Sequence, residues 1–143
     1  PNTGNIARTC AATGTQLHLI RPLGFSIDEA DVKRAGLDYW EHVEIFLHEN
    51  VDAFFHQYPD RPMYFATTKG LRKYTDVSYE PDAMLVFGKE TRGLPLEILE
   101  RHRSQTIRIP MGPDERLRSL NLANTAAIVI YEALRQNGFP GLL

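Results

Sequence analysis

The amino-acid sequence predicts an α/β fold with a mainly parallel sheet flanked by helices. Segments that alternate like strands and segments with helical spacing follow one another along the chain, an order typical of such folds. Residues 83–87 (AMLVF) form a nearly continuous apolar run, which indicates a central parallel strand covered on both faces. Residues 106–110 alternate like a strand, and residues 121–135 carry apolar side chains at helical spacing.

The other elements follow from the same periodicities and from their end signals. Residues 2–13 should form a helix that Gly14 ends, because glycine tolerates the left-handed backbone of a helix end. Pro95 suits the first turn of a helix over residues 94–102. Ser119 and Asn121 are candidate N-caps of the last helix. We further predict helices over residues 28–35 and 51–57 (with Phe54 and Phe55 buried), strands over residues 16–20, 43–47 and 63–67, and polar loops over residues 69–80 and 111–118.

Composition bounds the class of protein. The 143 residues are 43% hydrophobic and 24% charged, as in a soluble globular domain with a single core. No long uncharged apolar run and no signal-peptide pattern is present, so we expect no membrane partner and a cytoplasmic location. We expect a single domain over residues 1–143. Because residues 1–5 (PNTGN) read as a loop that follows another element, we also expect a short strand before them.

Several common chemistries lack their sequence signatures. A single cysteine, Cys10, excludes an internal disulfide framework. The five histidines show no metal-ligand spacing, so we predict no metal site. No GxGxxG follows a strand and no GxxxxGK[ST] occurs, which argues against a dinucleotide-binding Rossmann site and a P-loop NTPase.

Charge is distributed unevenly, although the net charge is only −2. Residues 89–118 contain seven basic and five acidic side chains, whereas residues 21–62 contain nine acidic and four basic ones. Each single charge is adequately explained as part of a solvated surface. The asymmetry as a whole indicates an anionic partner at one end of the molecule.

Three polar sets lie at predicted strand ends or helix starts, where ligands of open α/β sheets collect. They are Asn2, Gly4 and Arg8; Gly88, Glu90, Arg92 and Gly93; and Ser119, Asn121 and Asn124. The third set follows a strand and an arginine-rich loop, so that free N–H groups of a helix start would meet local positive charge. Taken singly, each set is equally well explained by capping and turn chemistry. The three together favour a site for a polar or anionic ligand.

These sets fall within motifs that resemble those of the SPOUT RNA methyltransferases. The motifs are NxGxxxR (residues 2–8), LVFGKETRGLP (residues 85–95), and IRIPM (residues 107–111) with SLNLANTAAIVIYE (residues 119–132). PLGF (residues 22–25), RAGLDYW (residues 34–40) and TTKG (residues 67–70) are closest to the subfamily that methylates the 2′-oxygen of the wobble cytidine or uridine of tRNA. The resemblance covers essentially the whole chain.

The resemblance implies a C-terminal trefoil knot, an exception to the rule that protein backbones are not knotted. It also implies the cofactor S-adenosyl-L-methionine, a homodimer, and a tRNA anticodon loop, expected from leucine tRNA isoacceptors, as substrate. Its motif positions place the cofactor against Ala66, Gly88, Ile109 and Ser119. They make Arg8, Glu90, Ser119 and Asn121 the catalytic candidates, with Arg8 reaching across the dimer.

For RNA, the basic stretches suggest phosphate contacts by Lys69, Arg72, Arg116 and Arg118. Tyr39, Trp40 and Tyr74 are candidates for stacking on unpaired bases, and Tyr39 and Trp40 are equally explained as core or interface residues. Tyr131 could contact the site or simply pack in the core, and packing is slightly favoured.

Three other functions remain open on the sequence. The chain could be a non-catalytic RNA-binding protein of the same fold, although the catalytic candidates are all present. It could be a 2′-O-methyltransferase for another RNA position. It could also be a different α/β nucleotide-binding enzyme such as a hydrolase, against which the lack of a nucleophile–base pair argues.

Overall fold

The computed structural model describes residues 2–22, 41–89, 92–118 and 120–143. The chain forms two compact units, Pro1–Asp60 and Arg61–Leu143. The prediction of a single domain stays a prediction, and the helix predicted over residues 28–35 lies outside the described residues.

The first unit contains helices α1 (Asn2–Thr13) and α2 (Val51–Gln57) and strands β1 (Leu17–Ile20) and β2 (Ile45–His48). Helix α1 buries Ala7 and Cys10 on one face. It ends directly before Gly14, as the sequence predicted, and Gly14 has a φ of +70°. Strands β1 and β2 pair in parallel, with Leu17 opposite Ile45.

A cluster of aromatic and histidine rings forms the interior of the first unit. The rings of His18 and His48 stack with centroids 5.2 Å apart, and Nδ1 of His18 lies 2.9 Å from Nε2 of His48. Phe54 of α2 is buried, and its ring and that of His48 lie edge to face with centroids 5.0 Å apart. His48 is itself buried, and desolvation lowers its pKa because the imidazolium loses hydration there.

The second unit contains a four-stranded sheet in which every pairing is parallel. Its strands are β3 (Met63–Ala66), β4 (Arg72–Lys73), β5 (Met84–Val86) and β6 (Thr106–Arg108), in the order β4–β6–β3–β5. Helix α3 (Leu96–Arg101) and a 3₁₀ turn (Arg103–Gln105) precede β6, and a second 3₁₀ turn (Glu115–Leu117) precedes helix α4 (Leu122–Gln136).

The core of the second unit lies between the sheet and α4. Ile107 of β6 and Val129 of α4 are almost fully buried, and they cluster with Tyr64, Val77 and Tyr79. Burial of side chains of this size contributes about 1.5–3 kcal/mol each. The spacing that predicted the last helix therefore also identified the face that packs on the sheet.

Four predictions need correction. The loop predicted over residues 69–80 contains β4, which is too short to leave an alternating pattern. The strand after Ala83 is not central in the sheet of the second unit, because β5 pairs there only with β3, and the inner positions belong to β3 and β6. Phe55 is only partly buried. Helix α3 spans Leu96–Arg101 and is shorter than predicted, because Pro95 serves as its N-cap.

The remaining boundaries agree with the predictions to within a few residues. Helix α4 is displaced by one residue, and Asn121 caps it as predicted. No helix among the described residues has the length and apolar character needed to cross a membrane.

The buried His48 predicts acid sensitivity of the fold. Its pKa in the folded state lies below the value of about 6.5 expected in the unfolded chain. The unfolded state therefore binds more protons below that pH, and the free energy of unfolding should fall as the pH decreases from about 6.5. Urea unfolding of wild type, His48→Gln and His56→Gln across this range measures the effect.

In the His48→Gln variant the free energy of unfolding should decline less steeply with falling pH. The His56→Gln variant, whose substitution lies at an exposed position of α2, should decline as wild type does. Equal slopes for wild type and His48→Gln would contradict this assignment.

Candidate active site

A cavity of about 310 Å³ opens in the second unit at the carboxyl ends of its strands, the usual ligand position in open α/β sheets. Pockets for small ligands begin at about this size. The lining combines strand ends, two loops and the first turns of α4: Ala66, Thr67, Thr68, Tyr74, Phe87, Gly88, Lys89, Arg92, Gly93, Leu94, Leu99, Ile107, Arg108, Ile109, Met111, Arg118, Leu120, Leu122, Thr125 and Val129.

Three predicted cofactor residues meet in this cavity. Ala66 ends β3, Gly88 follows β5 by two residues, and Ile109 follows β6 directly. Parallel pairing places these carboxyl ends at one edge, with Ala66 opposite Ile107. The peptide groups beyond the strand ends are therefore positioned to meet a ligand.

The loop after β5 is closed by a very close backbone approach. Gly93 donates its N–H to the carbonyl of Lys89 at 2.8 Å and has a φ of +66°. A Cβ atom at Gly88 would overlap backbone atoms of Gly93 and Leu94. Only glycine at position 88 allows the two arms of the loop to meet, which explains this residue type beside the cavity.

The loop after β3 is fastened to β6 in a similar way. A Cβ atom at Gly70 would overlap backbone atoms of Ile107 and Arg108. The guanidinium Nη1 of Arg108 donates to the carbonyls of Gly70 at 2.9 Å and Leu71 at 3.1 Å. No local sequence pattern indicates this role of Gly70, because the backbone atoms that it approaches lie about 37 residues away along the chain.

The start of α4 forms a further wall of the cavity. The side-chain oxygen of Asn121 accepts from the N–H groups of Ala123 at 2.8 Å and Asn124 at 3.3 Å. This contact is the predicted cap, and Asn121 itself is not among the residues that line the cavity. Leu122 and Thr125 of the following turn line the cavity. Ser119 and Glu90, two other catalytic candidates, lie outside the described residues.

The electrostatic character of the cavity is positive. Lys89, Arg92, Arg108 and Arg118 line it, and no carboxylate does so among the residues that the structure describes. Arg118 donates to the carbonyl of Pro113 at 3.0 Å. The loop after β6 is thereby held with a guanidinium at the cavity, where an anionic group would be favoured.

The lining suits the S-adenosylmethionine that the sequence resemblance implies. Phe87, Ile109, Leu120 and Leu122 offer apolar surface for an adenine ring, and the adjacent strand ends offer backbone polar groups. The basic side chains suit the cofactor's carboxylate. Among the described residues, no group of three or more histidine, cysteine, aspartate or glutamate side chains could hold a metal ion.

The four predicted RNA contacts differ in their surroundings. Lys69 is exposed in the turn after β3. Arg72 donates to the carbonyl of Ser104 at 3.0 Å. Arg116 is held by Asp114 through Nε at 3.1 Å and Nη2 at 2.9 Å, and this pairing lowers the pKa of the aspartate. Arg118 alone among the four lines the cavity.

The remaining candidates lie in different places. Arg8 is exposed on α1 in the first unit. Tyr131 is 46% exposed, so the slightly favoured packing role is wrong, and it is not among the cavity residues. Tyr74 packs against the core and lines the cavity, and its stacking on RNA bases stays a prediction. Tyr39 and Trp40 lie outside the described residues.

Comparisons with known proteins agree with this architecture. A family model described as the SpoU rRNA Methylase family matches residues 1–131. A Burkholderia ambifaria protein named tRNA (cytidine(34)-2′-O)-methyltransferase is 51% identical over 144 residues, which cover 99% of this chain and 91% of the relative.

Two solved structures are also similar. One is described as giving structural insights into the 2-OH methylation of C/U34 on tRNA. It has a TM-score of 0.86 and 45% sequence identity, and the match covers 95% of this chain and 88% of that protein's chain. The other, an AdoMet-bound rRNA methyltransferase from Sinorhizobium meliloti, has a TM-score of 0.76 and 28% identity, over 94% of this chain and 51% of its own.

The close approach at Gly88 gives a direct test of the cavity loop. Gly88→Ala should lower the free energy of unfolding by about 1–3 kcal/mol, because the added methyl group meets backbone that cannot move aside. Gly112→Ala is the matched control, since a Cβ there meets nothing within 4 Å. Urea unfolding measures both variants. A Gly88→Ala protein as stable as the control would show that the loop does not need this approach.

Proposed function

We propose that this chain, which belongs to the SpoU methylase family, uses S-adenosylmethionine to methylate the ribose 2′-hydroxyl of the wobble nucleotide of tRNA. The substrate nucleotide is a cytidine or modified uridine at position 34, in leucine tRNA isoacceptors. The observation that carries the proposal is the cavity at the ends of β3, β5 and β6, with its apolar surface and its basic rim. The similar proteins with the same nucleotide in their names support the choice of position.

In this proposal the cofactor lies against Ala66, Gly88 and Ile109, with Ser119 beside them. The cavity position of the first three supports this arrangement. When bound, the cofactor supplies an electrophilic methyl group on a sulfonium. The chain supplies position, since it must hold the ribose oxygen in line behind that methyl group and exclude water.

Arg8 contributes a phosphate clamp in this proposal. A guanidinium stays protonated below pH of about 12, which makes Arg8 a poor general base. Its planar fork instead suits a phosphate next to the target ribose. Arg8 comes from the partner subunit of a homodimer, while Glu90, Ser119 and the amide nitrogen of Asn121 orient the ribose and the loops.

We also infer that the second unit is threaded as a trefoil knot, as in the SPOUT proteins that the sequence resembles. Two contacts support this topology. Strand β6 lies between β4 and β3, two strands that follow each other in the chain, which is the strand order that a threaded chain end requires. The end of α4 then meets that loop, where Gln136 Nε2 donates to the carbonyl of Val77 at 2.8 Å.

RNA binding in this proposal uses the basic residues beside the cavity. Arg118 contacts a phosphate of the anticodon loop, and Lys69 and Arg72 contact phosphates further along the strand. Arg116 contributes less, because Asp114 already balances its charge. Such contacts release counterions and make binding salt-dependent.

A methylation assay tests the proposed function. The protein is incubated with S-adenosylmethionine and unmodified leucine tRNA transcripts, and the RNA is digested and mapped by mass spectrometry. One methyl group should appear on the ribose of nucleotide 34, and a transcript already methylated there should accept none. Methylation at another position, or binding of tRNA without any methyl transfer, would overturn the proposal.

Replacement of Arg8 tests the clamp. Arg8→Lys keeps the charge but loses the planar fork, so kcat should fall about tenfold or more while S-adenosylhomocysteine binding stays unchanged. Arg21→Lys is the matched control, since Arg21 is another exposed arginine of the same unit. Turnover at the wild-type rate in Arg8→Lys would exclude the clamp.

The salt dependence of tRNA binding tests the phosphate contacts. Arg118→Gln should reduce the slope of log K against log salt by about 0.7–0.9, the value for one lost phosphate contact. Arg116→Gln should change the slope less, because its partner Asp114 remains in the same loop. Filter binding between 50 and 200 mM salt, roughly the range in which the effect is large, measures the slopes. An unchanged slope in both variants would refute the assignment.

A further inference from the structure

The wall residue Tyr74 is held at two backbone atoms. Its N–H donates to the carbonyl of Arg108 at 2.8 Å, which extends the pairing of β4 with β6. Its carbonyl accepts from the hydroxyl of Tyr79 at 2.6 Å. The first bond fixes Tyr74 to the sheet, and the second closes a six-residue loop over residues 74–79.

Tyr79 is in turn held by the C-terminal end of α4. Its N–H donates to the side-chain oxygen of Gln136 at 2.9 Å, and its carbonyl accepts from the side-chain amide of Asn137 at 3.1 Å. The ring is buried and packs edge-on against Tyr64, with centroids 4.9 Å apart. Burial raises the pKa of Tyr79, so the hydroxyl stays a proton donor at physiological pH.

Gln136 is anchored on three sides. Besides accepting from Tyr79, it donates through Nε2 to the carbonyl of Val77 at 2.8 Å and to the carboxylate of Glu132 at 2.9 Å. Arg135 binds the same carboxylate at 2.7 Å. The end of α4 is therefore a rigid base for the contacts with Tyr79.

Helix α4 touches the cavity in two ways. Its first turns line the cavity directly through Leu122, Thr125 and Val129. Its last turn is connected to the cavity residue Tyr74 through Gln136, Tyr79 and the carbonyl of Tyr74. The helix therefore contacts the cavity lining directly at one end and through hydrogen bonds at the other.

We propose that Tyr79 is a positioning residue for cofactor binding. Its hydrogen bonds connect Gln136 to Tyr74 and thereby keep Tyr74 in place at the cavity. The proposal rests on the proposed function, because it takes the ligand of the cavity to be S-adenosylmethionine. Loss of the Tyr79 hydroxyl would leave a partly buried carbonyl without its donor, and a polar group in that state shifts toward water. Tyr74 would then move away from the cavity, and the ligand would lose contact on that side.

The test compares Tyr79→Phe with Tyr64→Phe. Both substitutions remove one hydroxyl and keep a buried ring. Tyr64 donates to the carbonyl of Ser78 at 3.0 Å and contacts Glu80, but its hydroxyl makes no bond to Tyr74 among the described contacts. Tyr64→Phe therefore controls for the general loss of stability that follows removal of a buried hydroxyl.

Calorimetric titration with S-adenosylhomocysteine measures cofactor affinity in the full-length proteins. Tyr79→Phe should raise the dissociation constant about three- to tenfold, and Tyr64→Phe should leave it within about twofold of wild type. In the methylation assay, the KM for S-adenosylmethionine should rise in Tyr79→Phe while the KM for tRNA and kcat at saturating cofactor stay unchanged. Gln136→Leu should act in the same direction, and it replaces Tyr79→Phe should that variant not fold.

Three results would overturn the proposal in distinguishable ways. Equal losses of affinity in Tyr79→Phe and Tyr64→Phe would indicate general destabilisation. Unchanged affinity in both Tyr79→Phe and Gln136→Leu would show that the wall does not depend on these contacts. Failure of wild type to bind S-adenosylhomocysteine or S-adenosylmethionine would also refute the proposed function, whereas the first two results would leave it standing.

Discussion

The arrangement of the second unit depends on the close packing of chain around Ile107. This residue pairs with Ala66 on one side and Arg72 on the other, and its backbone is approached by Gly70 so closely that no side chain fits between them. Its side chain is 1% exposed. A segment paired on both sides has its backbone polar groups satisfied without water, so the carboxyl end of β6 is fixed in the middle of the sheet. The cavity forms where this strand and its neighbours end.

The same constraint explains the chemical character of the cavity. Backbone groups at the ends of parallel strands border the cavity, and apolar side chains of β6 and α4 form part of its lining. Arginines from the loops after β5 and β6 supply the positive charge. In the proposed function, this arrangement positions S-adenosylmethionine next to the polyanionic RNA. Methyl transfer from a sulfonium requires this positioning above all.

Polar contacts join the cavity to residues far from it. Arg108 binds the carbonyls of the loop that begins at Gly70, and Gln136 binds both Val77 and Tyr79 in the continuation of that loop. Each contact satisfies a backbone group that would otherwise be costly to bury. The loop between β3 and β5 is consequently part of the folded scaffold of the site, although its composition is that of a polar surface segment.

The sequence by itself determined the alternation of strands and helices, the Asn121 cap, the end of α1 at Gly14 and the residues Ala66, Gly88 and Ile109 that meet at the cavity. These features depend on near neighbours in the chain or on ordered motifs, and both are readable in a single sequence. Only the tertiary structure decided that Arg72 and Lys73 form a strand, that β5 lies beside β3 alone in its unit, and that Tyr74 is a wall of the cavity. The physical reason is that pairing and packing between residues thirty or more positions apart, as between Arg72 and Ile107, leave no local periodicity.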